Sequence, residues 1–128
     1  MRIGLASIYV DDQDQAERFS TEVLGLQVKT SAPYGAGERW LSVVTPEDPG
    51  GVERVLHLAD APARTFQQAS WEAGRPVLSL RTDDCAGEAG RFKAKGVVFV
   101  KEPWSRDSGG IDAVFADSCG NLLNLHQD

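Results

Sequence analysis

Cysteine is scarce in this chain: Cys85 and Cys119 are the only two, they lie far apart, and they form no CxxC pair. That supplies neither a zinc framework nor a disulfide lattice, and reduced thiols are expected. No histidine adjoins either cysteine in sequence, so neither thiol has a local base to activate it. Basic residues are also few, 13 Lys and Arg against 19 Asp and Glu for a formal net charge of −6, with no Lys/Arg run anywhere. Phosphate backbones need a basic face, so nucleic acid is not an expected partner. Long apolar runs are missing too. Residues 1–7 lead straight towards Asp11 and Asp12 with nothing like a signal peptide and nothing of spanning length. The expectation is a cytoplasmic chain with no membrane partner. Gly35-Ala36-Gly37-Glu38 lacks the third glycine of a dinucleotide loop, which removes that kind of phosphate cradle.

What remains is ordinary globular material, 128 residues with 41% hydrophobic, 25% charged and 8% aromatic side chains. This length suits one domain with one self-standing core. Residues 3–10 alternate and are rich in Ile, Val and Tyr, which predicts a strand with Ala6, Ile8 and Val10 on one face and Leu5, Ser7 and Tyr9 on the other. Asp12 followed by Gln15 is an N-cap with a capping-box partner, opening a helix through Ala16, Phe19, Ser20 and Val23 that Gly25 closes. Residues 26–30, 39–45 and 53–59 read as strands separated by turn-rich stretches. Residues 62–74, with Phe66, Ala69, Ser70 and Ala73 at helical spacing, form a connecting helix ended by a glycine. Then the order recurs: a strand at 76–82, a helix capped by Asp83-Asp84 that stops at Gly96, and strands at 97–101, 111–116 and 121–126, with a loop at 105–110.

The fold class is therefore α+β, built from two βαβββ modules at residues 1–60 and 76–128 joined by a connecting helix at 61–75. The pair Asp11-Asp12 recurs as Asp83-Asp84, and the same shift carries Leu5 onto Val77, Ser7 onto Ser79 and Tyr9 onto Arg81. Both acidic pairs stand where a strand hands over to a helix, so they are caps rather than a catalytic dyad. Two such modules suggest four-stranded sheets with helices outside and inward faces enclosing a cleft, a natural small-molecule site.

The run Ile8-Tyr9-Val10-Asp11-Asp12 through Phe19, then Val23-Leu24-Gly25-Leu26, Arg39 to Val44 and Asp117-Ser118-Cys119-Gly120-Asn121 resembles the vicinal oxygen chelate superfamily. That superfamily holds glyoxalase I, bleomycin-resistance proteins and extradiol dioxygenases. The resemblance covers nearly the whole chain. It implies that metal ligands, where members use them, sit at positions occupied here by Leu5, His57, Val77 and Asn124. Only His57 is a convincing ligand, because hydrocarbon has no lone pair and an amide oxygen is a weak neutral donor. The expectation is no metal and no cofactor, with homodimerisation following from the family's habit of pairing sheets.

The candidate site residues are Ser7, Tyr9, Trp40, His57, Ser79, Arg81, Trp104, Asn124 and His126. His57 offers one donor and one acceptor for ligand contact, acid–base work or a bond to its neighbours. Arg81 clamps a carboxylate or phosphate, or pairs with an acidic side chain at the strand mouth. Asn124 and His126 share a face, although His126 lies near a fraying end where a solvated role is expected. Ser7 and Ser79 supply hydroxyls or merely fill space. Trp40 on a strand, Trp104 on a loop and Tyr9 offer aromatic surface for a planar ligand, whereas Trp71 packs or meets a second subunit. The leading expectation is a metal-free binder of a small organic molecule. The alternatives are a lyase or dioxygenase-type enzyme, using His57 as acid/base or a displaced metal site on His57, His126 and a carboxylate, and a structural or regulatory dimer.

Overall fold

The computed structural model describes residues 1–128, which divide into two compact units, Met1–Phe66 and Gln67–Asp128. In the first, strand β1 (Leu5–Val10) leads into helix α1 (Gln13–Arg18), and strands β2 (Gln27–Pro33), β3 (Arg39–Val44) and β4 (Glu53–Leu58) follow. The sheet order is β1-β4-β3-β2, with β1 parallel to β4 and the other pairs antiparallel. Helix α2 (Ala61–Glu72) carries the chain onward to β5 (Leu78–Arg81), α3 (Cys85–Ala94), β6 (Phe99–Ser105), β7 (Ile111–Ala116) and β8 (Leu122–Gln127). The second sheet repeats the first, β5-β8-β7-β6 with β5 parallel to β8. No helix is long and apolar enough to cross a membrane.

The caps follow the repeat. Asp12 accepts from Gln15 N at 2.9 Å and Asp84 from Gly87 N at 2.9 Å, so each satisfies a helix N–H that would otherwise lack a partner. In the first unit Ile8, Val10, Leu41, Val43 and Leu56 are buried on the face that receives Ala16 and Phe19. Gln13 locks α1 down there: its amide nitrogen donates to Arg39 O at 2.8 Å and Leu56 O at 2.9 Å, and its oxygen accepts from Arg39 N at 2.9 Å. All of its strong valences are met, which is why a glutamine is tolerated in a core. In the second unit Phe115 is fully buried between Phe92 and Phe99, with ring centroids at 5.3 and 5.5 Å.

Four sequence expectations need correction. The first helix does not continue as an α-helix to its closing glycine, because residues Phe19–Val23 widen into a π-helical turn before Gly25 takes φ +71°. Strand β6 extends through Pro103 and Trp104 to Ser105, so Trp104 sits on a strand and not on a loop. The reason is position: β6 is the edge strand, where a proline's missing N–H costs no ladder bond. On α2 the buried stripe is Ala63, Gln67 and Ser70, while Phe66 is 57% exposed. Gln67 is drawn inward because its amide donates to Cys119 O and Asn121 Oδ1, both at 3.3 Å. Finally, His126 is ordered within β8 and hydrogen-bonded on both ring nitrogens, to Asp112 at 2.6 Å and Asp128 at 3.1 Å, rather than solvated at a frayed end.

Candidate functional site

Strand alternation leaves each sheet with one face free of its module's packed helix, α1 or α3. In the second unit two adjacent rows of side chains cross all four strands on that face. One row runs Ser79, Asn124, Val114 and Lys101; the other runs Arg81, His126, Asp112 and Trp104. A bulge between Lys101 and Trp104 keeps both on the same side despite their odd spacing. Leu123, Leu125, Ala113 and Phe115, one residue out of phase, are buried on the opposite face, where α3 packs.

Asp112 is the hub of the second row. Its carboxylate is nearly buried and is shared between His126 Nδ1 at 2.6 Å and Arg106 Nη1 at 3.1 Å. The Asp112 hydrogen bond raises the His126 pKa above its ordinary value, with Asp128 adding to the effect and burial opposing it. Arg81 pairs with Asp128 at 3.4 Å. Lys101 has no carboxylate partner and rests its ammonium 3.6 Å from the centre of the Trp104 ring, a cation–π contact. Between the rows and the chain segment entering β5 lies an open pocket of about 550 Å³. Of the candidate residues Ser79, Trp104 and Asn124 line it while Arg81 and His126 do not, and Val77, Lys101, Arg106 and Asp112 join them.

The corresponding face of the first unit is aromatic. Tyr9 and Trp40 flank His57 with ring centroids at 5.8 and 5.5 Å, and Tyr34 meets Trp40 edge-on at 5.7 Å. His57 Nε2 lies 3.2 Å from Ser7 Oγ. The four residues singled out in this half, Ser7, Tyr9, Trp40 and His57, are thus brought together, and Tyr34 joins them from the turn after β2. Sequence reading missed Tyr34, Lys101, Arg106 and Asp112, since only the register of β2 on β3, of β6 on β7 and of β7 on β8 shows which side chains they meet.

The residues present do not fit the metal that some family members use. Of the four positions at issue Leu5 and Val77 are hydrocarbon, and no three His, Cys, Asp or Glu side chains come together as a ligand set. The cysteines offer no nucleophile either. Both are buried, and burial together with the nearby Asp112 and Asp84 carboxylates pushes the Cys85 thiol pKa up, away from the reactive thiolate.

Comparisons with known proteins agree with this architecture. The family model described as the glyoxalase/bleomycin resistance protein/dioxygenase superfamily matches residues 2–125. The uncharacterized protein YurT of Bacillus subtilis (strain 168) is 39% identical over 128 residues, covering 99% of each chain. Among solved structures, UcmS2 is 32% identical with a TM-score of 0.82, covering 98% of this chain and 97% of its own. TnmS3, an antibiotic binding protein from Streptomyces sp. CB03234, is 27% identical with a TM-score of 0.77, covering 99% and 95%. With its paired βαβββ modules and a family match over nearly its whole length, the chain belongs to the glyoxalase/bleomycin resistance protein/dioxygenase superfamily.

Proposed function

We propose that this protein binds a small organic molecule without a metal ion, on the faces of its sheets that α1 and α3 leave free. The observation that carries the reading is the pocket of the second unit, where Val77 presents hydrocarbon at a family ligand position and Trp104, Asn124 and Ser79 surround it. Its volume falls within the range of small-molecule sites, and its mix of apolar wall and a few polar groups is what such sites use. The aromatic cluster of Tyr9, Tyr34, Trp40 and His57 offers stacking surface in the first unit. Similarity to an antibiotic binding protein supports the same class of activity.

The test is a thermal-shift screen in the presence of a chelator, using aromatic compounds, thiols and antibiotics. A ligand at a hundred times its Kd stabilises the fold by about 2.7 kcal/mol, which raises Tm by several degrees. Shifts that appear only after a divalent metal is added would overturn the reading in favour of a metal enzyme.

One observation favours a second reading, with His57 as an acid or base: Ser7 Oγ lies within reach of its Nε2. Such a pair also needs a group that orients the imidazole. Tyr9 and Trp40 flank the ring and no carboxylate bonds it, so binding is the better supported role. The proposal includes a homodimer, because α2 exposes Phe66 and Trp71, large apolar side chains that a second copy would cover.

A further inference from the structure

The charges around the second-unit pocket say more about its occupant than its shape does. Asp112 is the one carboxylate in the lining, and both of its oxygens are engaged, one by Arg106 and one by His126. It has little capacity left for a cationic ligand. Lys101, by contrast, lines the pocket with a full positive charge and no acidic partner, held only by the face of Trp104. Arg106 adds a second cation that Asp112 offsets, so the local balance is positive in a chain whose net charge is −6. Neutral donors lie alongside. Asn124 gives one N–H to Ser79 Oγ at 3.1 Å, which leaves its second N–H and the Ser79 hydroxyl hydrogen to donate. Val77 and Val114 provide an apolar wall.

We infer that this pocket selects an organic anion, a molecule with an apolar or aromatic body carrying a carboxylate or sulfonate that Lys101 receives. The inference rests on the small-molecule reading above and adds the ligand class. An ammonium partly shielded by an indole and a pocket wall is less hydrated than a free surface lysine, which favours exchanging water for an anionic ligand oxygen. Added salt weakens the contact, since the site is open to solvent.

Two fluorescent probes separate the ideas: anilinonaphthalene sulfonate, and phenylnaphthylamine, which has the same rings without the sulfonate. The expected result is that the sulfonate binds about tenfold more tightly than the neutral probe, and that K101Q brings the ratio of the two affinities close to one. K101R keeps the preference. S79W, a bulky side chain at an exposed lining position, weakens both probes. Equal affinity for the two probes, or a preference that survives K101Q, overturns the anion selectivity alone. Failure of both probes to bind, or binding of both that S79W leaves unchanged, overturns the pocket itself.

Discussion

His57 Nε2 faces Ser7 Oγ at 3.2 Å in the first sheet, and Asn124 Nδ2 donates to Ser79 Oγ at 3.1 Å in the second. Ser7 and Ser79 are repeat partners on the first strand of each module, and His57 and Asn124 stand on the last. At both equivalent places the residue on the last strand is one end of a hydrogen bond to the serine on the first. The repeat therefore shows as a polar side-chain pair at matching places in the two sheets. The pairs differ in what they leave over: an imidazole between two aromatic rings in one, an amide beside a lysine-bearing pocket in the other.

The Ser7–His57 bond is solvent-accessible, so its loss should cost little stability. His57→Ala is expected to lower unfolding free energy by no more than about 1 kcal/mol in urea titrations, in line with an ordinary hydrogen bond. A larger loss would make His57 a structural residue and remove it from the binding face.

Asp117 is the opposite case. Its carboxylate accepts from Cys119 N at 2.7 Å, Asn121 N at 2.9 Å and Asn121 Nδ2 at 2.7 Å inside a buried turn. In that turn Ser118 holds φ +59° and Gly120 φ +98°, and a Cβ on Gly120 would come within 2.9 Å of Gln67 Nε2. Asp117→Ala is expected to cost about 3 kcal/mol or more, because it strips three charge-assisted bonds from buried donors. Chemical denaturation reads this directly, and a change within 1 kcal/mol of zero, a threshold of about one ordinary hydrogen bond, would reject it.

That turn shows how far the sequence was legible. The Asp117 to Asn121 string helped reveal the family, yet its work is to hold a loop together, so it carries fold information and little about chemistry. Caps at Asp12 and Asp84 and the alternation of β1 and β8 could be read because they depend on neighbours in sequence. The inward turn of Gln67, the extension of β6 through Pro103 and the pairing of Asp112 with His126 could not. Each depends on a partner that only the folded register supplies: Cys119 O for Gln67, an open sheet edge for Pro103, and the facing position on β8 for Asp112.

Phe115 anchors the second core. Fully buried and packed against Phe92 and Phe99, it should cost about 3–5 kcal/mol when replaced by Ala, the sum of lost transfer energy and a cavity. Phe66→Ala on exposed α2 serves as a contrast, with an expected change near zero in the monomer. If the two substitutions destabilise equally, the assignment of the core is wrong.

Self-association has its own signature. Sedimentation should give a species of twice 13.8 kDa, with Phe66→Glu and Trp71→Glu moving it to monomer mass while the secondary structure is retained. The interface would be isologous, as a twofold pair requires. A single 13.8 kDa species for the unmodified chain that does not change with concentration would reject the dimer.

His126 should hold its proton more tightly than a free imidazole does. Its folded pKa is raised above the ordinary value near 6.5, first by the hydrogen bond to Asp112, then by Asp128, so the fold favours the imidazolium. A raised histidine pKa adds stability that is fully present below the unfolded value and disappears as pH climbs through the folded one. The stabilising effect of the pair should therefore be complete in mildly acidic solution and fade above pH 6.5. The groups around it pull in known directions: Asp112 is shared with Arg106, and Asp128 with Arg81. NMR titration of the His126 ring should show a midpoint above 6.5 that falls in Asp112→Asn and falls less in Asp128→Asn, following the order of their contributions. A wild-type midpoint at or below 6.5, or one that Asp112→Asn leaves in place, would mean that the 2.6 Å contact does not hold the proton.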